Sequence, residues 1–258
     1  MNAIACEHAI EPRKVSVASQ LGVLVQWQAQ RMSSYIPLLV VIQVFLAVTT
    51  VLGYGLLIGT PPSDQASYLA TGAATVTLVM VGLVMTPQMV AMARTEGSLD
   101  WMRTLPTPRV VFLGADLALW TVIALPGMVL GIIAGAWRFH IALSISWWLP
   151  LAAITVSLTS ACVGYAIACL APPQVAQLTS QVLVFVVLLF SPVSYPASRL
   201  PDWLAKVHEW LPIQPMAEAM RASLISNSYN MPARSMIVLV AWMIAALAGA
   251  GWALSRRK

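Results

Sequence analysis

Glu96, Asp100 and Arg103 are spaced four and three residues apart, so a helix over 94–105 gathers them on one face. Leu99, Met102 and Leu105 recur every three residues and form an apolar strip beside that face. Two carboxylates and a guanidinium so arranged make and break no bonds by themselves. They offer charge pairing to another protein, next to a strip that can seat it. Pro106 and Pro108 stop the helix. An ordinary solvated loop helix carries the same pattern, so docking and solvation both remain open from the pattern alone.

Other chemistry is excluded residue by residue. His208-Glu209 lacks the second histidine of H-E-x-x-H, and there is no G-x-S-x-G. His8, His140 and His208 stand apart from one another and make no metal-ligating set. The lysines are Lys14, Lys206 and Lys258, and none follows a glycine. No phosphate-cradling G-x-x-x-x-G-K-[ST] loop is therefore present. Cys162 and Cys169, seven apart in one apolar run, read as packed thiols.

The elements that must position these residues are membrane spans. Of 258 residues, 59% are hydrophobic and 9% charged, with mean hydropathy +0.81. A soluble domain carries about 25% charged residues. Six apolar runs, 36–58, 69–91, 110–136, 147–170, 175–195 and 235–254, each reach the ~20 residues a helix needs to cross a bilayer. The short alternating segments of a β-barrel are absent. The pI near 9.4 does not point to nucleic acid, because the basic residues lie at the ends of the runs rather than in one patch. With six spans both termini share a side. That side carries Arg13, Lys14, Arg31, Arg94, Arg103, Arg109, Arg256, Arg257 and Lys258. The other carries Arg138, Arg199, Lys206, Arg221 and Arg234. The first reads as cytoplasmic. Residues 1–15 read as a disordered cytoplasmic tail, without a secretory signal, and 16–258 as one transmembrane domain.

Within the spans, Asp116 is the one ionisable residue, about two turns into the third. A buried carboxylate or histidine relay, which proton- or sodium-coupled carriers need, is not visible. Pro87 and Pro126 interrupt spans two and three. Energy for any uphill transport has to come from a partner.

The polar residues that remain fall in patterns. Gln174, Gln177, Gln181 and Phe185 are offset by three, four and four, which puts them on one face of span five. Gln43 and Thr50, seven apart in span one, fit the same wall. Amides in hydrocarbon need partners, so this face is a substrate pathway, a subunit interface or a set of helix–helix hydrogen bonds. Gly127, Gly131 and Gly135 make a groove for a neighbouring helix in span three. Residues 16–32, with Leu21, Leu24, Val25 and Met32 as an apolar stripe and Trp27 beside it, form either a helix on the membrane surface or an extension of span one. After span five, a short helix begins at Pro201 and presents Trp203, Leu204, Val207, Trp210 and Leu211 on one side; Pro212 ends it. Pro215 opens a second short helix with Glu218 and Arg221 three apart. Two short helices joined by prolines suggest a turn dipping back towards the membrane.

In this order and topology the chain resembles the permease subunits of ABC type-2 exporters. Three features carry the resemblance over about 16–254. They are six spans preceded by an amphipathic helix; the run Arg94-Thr95-Glu96-Gly97-Ser98-Leu99-Asp100-Trp101-Met102-Arg103-Thr104-Leu105-Pro106, similar to that family's E-G-[ST]-L…L…[ST]-x-P segment; and Leu200-Pro201-Asp202-Trp203-Leu204 through Pro212, Glu218 and Arg221, similar to its l-P-x-w-l…P…E-x-x-R element. Thr107-Pro108 after the first proline departs from the bulky or basic residue common there. The resemblance implies an all-α membrane protein of six spans, with an N-terminal interfacial helix, a cytoplasmic coupling helix and an external re-entrant hairpin. It implies no catalysis on this chain and no cofactor, with ATP and magnesium on two copies of a P-loop ATPase. A second permease, the same or related, completes the pathway in a bacterial plasma membrane. Arg94, Glu96, Gly97, Ser98, Asp100, Trp101 and Arg103 then form the ATPase-coupling set. Pro201, Trp203, Pro212, Glu218 and Arg221 form the external hairpin, and Gln43, Gln177, Gln181 and Phe185 the pathway wall. The substrate is expected to be amphipathic: a drug, an antibiotic or a lipid. A stand-alone carrier or channel without an ATPase is the alternative.

Overall fold

The computed structural model describes residues 16–59, 62–97 and 108–255. Among them the backbone is helical, apart from connecting loops and one isolated parallel bridge between Ser144 and Ile225. The helices are α1 (Val17–Met32), α2 (Ile36–Ile58), α3 (Ser63–Met80), α4 (Thr86–Thr95), α5 (Arg109–Phe139), α6 (Leu149–Leu170), α7 (Pro173–Phe190), α8 (Asp202–His208), α9 (Ile213–Leu224) and α10 (Ala233–Ser255). Six stretches are long and apolar enough to cross a membrane: Ile36–Leu56, Gln65–Thr95, Arg109–Phe139, Leu149–Leu170, Pro173–Phe190 and Ala233–Leu254.

Three boundaries differ from the sequence reading, each for a backbone reason. Span two is longer than 69–91, because α3 and α4 run on through a π-turn at Val81–Met85. Pro87 has no N–H and its ring crowds the preceding turn; widening to i→i+5, with Thr86 N–H donating to the Val81 carbonyl, carries the helix past it. Pro87 therefore distorts span two without breaking it. Pro126 likewise sits inside a continuous α5, which runs past 136 to Phe139. Span five stops at Phe190 rather than 195. Ser191 precedes Pro192 and is held extended at φ −89°, ψ 137°, as a residue before proline prefers.

Lipid tails are as apolar as leucine, so close packing rather than the hydrophobic effect must join the spans. The glycines of α5 supply it. A Cβ on Gly131 would stand 3.1 Å from Ala74 Cα, and one on Gly135 2.8 Å from Ala70 Cα, so α5 lies backbone-to-backbone on α3. Trp120, Leu78, Tyr165, Met216 and Met220, all fully buried, fill the space where α3, α5, α6 and α9 meet. Outside the spans, α1 folds onto the start of α5, with Leu21, Leu24 and Val25 against Val111 and Ala115. The bonds Ser144 N–H to Leu224 O (3.0 Å) and Ser146 N–H to Ser223 O (2.8 Å) tie the α5–α6 loop to the end of α9.

Candidate functional site

The helix order places the exit of α4, α1, the start of α5 and the end of α6 at one end of the bundle. Arg94 lies in the last turn of α4, not in a separate helix. Its Nη1 donates to the carbonyls of Ala168 (2.5 Å) and Ala171 (2.6 Å). Those carbonyls belong to the open C-terminus of α6, where a cation also meets the negative end of the helix dipole. Glu96 caps α4, and Gly97 follows at φ +73°, the left-handed turn that glycine makes without strain. The Glu96 carboxylate accepts from Arg31 Nη2 of α1 at 3.4 Å. Both side chains are partly exposed, so the pair itself is worth only about 0–1 kcal/mol. Glu96 thus has a partner within this chain, where the sequence suggested a basic group on another. Ser98, Asp100, Trp101 and Arg103 lie outside the described residues.

The proposed wall does not assemble as one surface. Gln43 is fully buried. Its Nε2 donates to the Ile123 carbonyl (2.8 Å) and its Oε1 accepts from the Gly127 N–H (3.0 Å). Those two groups are the ends of one i→i+4 rung beside Pro126, so the amide of α2 is built into the backbone ladder of α5. Gln43 is a strut between helices, which the residue spacing did not distinguish from a pathway role. Gln177, Gln181 and Phe185 stand on the outer face of α7, exposed. That helix buries only Ala176, Ser180 and Val187.

At the opposite end, Pro201 precedes α8, Trp203 projects outward and Pro212 precedes α9. The second short helix begins at Ile213, earlier than Pro215, because a proline is favourable in the first helical turn and needs no donor there. Glu218 and Arg221 are buried, but among the described residues they do not close an ion pair with each other. Glu218 Oε1 accepts from Gln214 Nε2 at 2.9 Å. Arg221 Nη2 donates to the Val193 carbonyl at 2.8 Å, and its guanidinium lies 3.8 Å from the ring centroid of Tyr68 on α3. Arg221 therefore joins α9, the start of span two and the segment after span five. Sequence spacing could not reveal Val193 or Tyr68 as its partners, since both are remote in the chain.

Helix α8 is fastened to α10 by Arg234 to Glu209 (2.6 Å) and by Trp242 Nε1 to the Trp210 carbonyl (2.7 Å). His208, the last residue of α8, is buried, and burial holds its imidazole below the usual histidine range. A cavity of about 480 Å³ opens between α6, α9 and α10, lined by Leu151, Leu239 and Val240 among apolar residues and by Ser146, Ser226 and Tyr229 among polar ones.

One family model matches the chain over its first five spans and the two short helices that follow them. It is described as ABC-2 type transporter and covers residues 19–225. This chain belongs to the ABC-2 type transporter family. It is accordingly the multi-pass transmembrane component of an ABC transporter, associated with an ATP-binding subunit. The match takes in the first five spans and both short helices, while α10 lies beyond it. No curated protein matches the chain.

Proposed function

We propose that this chain forms the substrate pathway of an exporter for an amphipathic compound, such as a drug, an antibiotic or a lipid. Two copies of a separate ATPase bind ATP and magnesium and act on the 94–106 segment. A second permease, identical or related, faces this one, in a bacterial plasma membrane with both termini cytoplasmic. Helix α1 then lies at the cytoplasmic interface, and α8–α9 form an external hairpin that turns back into the membrane.

The observation that carries the reading is the fastening at the exit of span two. Arg94 holds the end of α6, and Glu96 holds α1 through Arg31. A push on the segment after Gly97 is delivered to spans two and four and to α1 together. The exposed amides of Gln177 and Gln181 support the second permease. Amides facing hydrocarbon are costly, and a facing subunit or a wet pathway relieves them. The cavity of about 480 Å³, mostly apolar with a few hydroxyls, is within the size range of small-molecule sites and suits an amphipathic compound.

Reconstitution with the cognate ATPase tests this. The Glu96→Ala/Arg103→Ala double variant is expected to insert normally, and its transport is expected to fall at least tenfold while ATP hydrolysis continues. Transport at the parent rate would refute the docking role.

A further inference from the structure

Under α1, at the Arg94–Glu96 end, lies a cavity of about 100 Å³ that no step above uses. Its walls include Gln28 and Arg31 of α1, Glu96, and Phe112, Asp116 and Trp120 of α5. We infer that this cavity binds a small organic cation, held by the Asp116 carboxylate.

Charge is the first argument. The lining carries two carboxylates, Asp116 and Glu96, and one guanidinium, Arg31. Arg31 stands 3.4 Å from Glu96 and its charge also reaches Asp116, so one guanidinium is shared between two carboxylates. A carboxylate within a span that has only a share of one guanidinium is costly, and protonation or a cation that can enter relieves it. The second argument is independent of charge. Gln28 is only 5% exposed, lines the same cavity, and its Oε1 accepts no hydrogen bond. A buried acceptor left without a donor costs about 1–3 kcal/mol, which a ligand N–H or a polarised N–CH₃ would recover. The third argument selects the type of cation. Trp120, Phe112 and Tyr165 line the space, and aromatic rings accommodate an alkylammonium at little desolvation cost, unlike a tightly hydrated metal ion. The volume has room for about three waters at ~30 Å³ each, hence for one ammonium group with short substituents. Entry is available beside Arg31 and Glu96, whose side chains are 33% and 47% exposed.

The test uses the purified full chain in an uncharged detergent, with tetramethylammonium as the probe. Its uncharged shape mimic 3,3-dimethyl-1-butanol and potassium chloride serve as controls. Two readouts are taken: titration calorimetry, and the rate at which dicyclohexylcarbodiimide modifies Asp116, followed by mass spectrometry. Saturable binding of tetramethylammonium is expected, weakened at least tenfold in Asp116→Asn and less in Gln28→Met. Protection of Asp116 from the carbodiimide by tetramethylammonium is also expected, with none by the alcohol. The protection readout needs no variant, so it decides the matter even if Asp116→Asn fails to fold. Absence of saturable binding, binding undiminished in a folded Asp116→Asn, or equal protection by the alcohol or by potassium would overturn the proposal. Binding here requires neither export nor an ATPase, so its failure leaves the transport reading standing.

Discussion

Replacing Gln43 with leucine separates a strut from a pathway wall. The side chain makes two bonds to the backbone of α5, to Ile123 O at 2.8 Å and from Gly127 N at 3.0 Å. Interhelical hydrogen bonds in membranes average about 0.6 kcal/mol, with values up to about 1.7. Two of them give about 1–3 kcal/mol. The loss stays in that range because the released carbonyl and N–H are the two ends of one helical rung and can close on each other. A chain of this size shifts its unfolding midpoint by roughly 2–4 °C per kcal/mol. The Gln43→Leu midpoint in detergent is therefore expected to fall by roughly 2–12 °C, read by intrinsic fluorescence on heating. Substrate selection should be unchanged, since the side chain is fully buried between helices. An unaltered midpoint together with altered substrate selection would refute the strut and return Gln43 to the wall.

Two further outcomes follow from packing and burial. Gly131→Leu would drive a side chain into the Ala74 backbone, 3.1 Å from the first added carbon; overpacking costs about 1–3 kcal/mol or more, and the variant should lose its monodisperse peak in detergent chromatography, while Gly249→Ala, with open space around it, should not. Burial disfavours the imidazolium of His208, so its folded pKa lies below the unfolded value of about 6.5. The stability held by the neutral ring is complete above about pH 6.5 and is lost as pH falls towards the folded pKa. The parent midpoint should decline as pH falls below about 6.5, and His208→Gln should flatten that decline; parallel pH profiles would show that His208 does not couple folding to protonation.

The spans were legible because the bilayer imposes one rule on every one of them: about twenty apolar residues, with the backbone satisfied internally. Their ends were less so. Ser191-Pro192 was a readable stop for span five, yet Val193 and Tyr195 continued the apolar run and masked it. The glycines of α5 were legible as packing, because a four-residue repeat of small side chains leaves little else to do. Gln43 was not. Its spacing from Thr50 is true of the helix, but the direction a helical face points in the bundle is set by neighbours remote in sequence. Here the Ile123 carbonyl and the Gly127 N–H of α5 decide it, eighty and eighty-four residues away, by binding both ends of the amide. Arg31, Gln28 and Asp116 gave only a weak signal, a cation ending an amphipathic helix and a lone carboxylate in a span. Neither spacing nor composition could place them around one cavity.

Buried polar groups in this bundle sit where chains of packing meet, and span two joins two such places. Near its start, the Tyr68 ring lies under the Arg221 guanidinium, which also holds Val193 after span five. At its other end Arg94 holds the close of α6. Between them the rod is continuous except at Val81–Met85, where the π-turn loosens the hydrogen-bond ladder. That turn is also where span two touches α6 most closely: a Cβ on Gly82 would stand 2.5 Å from the backbone nitrogen of Ala161. Because no side chain separates the two helices there, one cannot bend without the other following. A rigid rod would carry a displacement at Arg94 to Tyr68 undiminished. A rod with a π-turn pinned against its neighbour instead divides the displacement, part into span four and part into the Tyr68 end of span two. Gly82 and Pro87 of span two and Gly164 of span four thus meet at one crossing, and Arg94 and Arg221 fasten the two ends of span two.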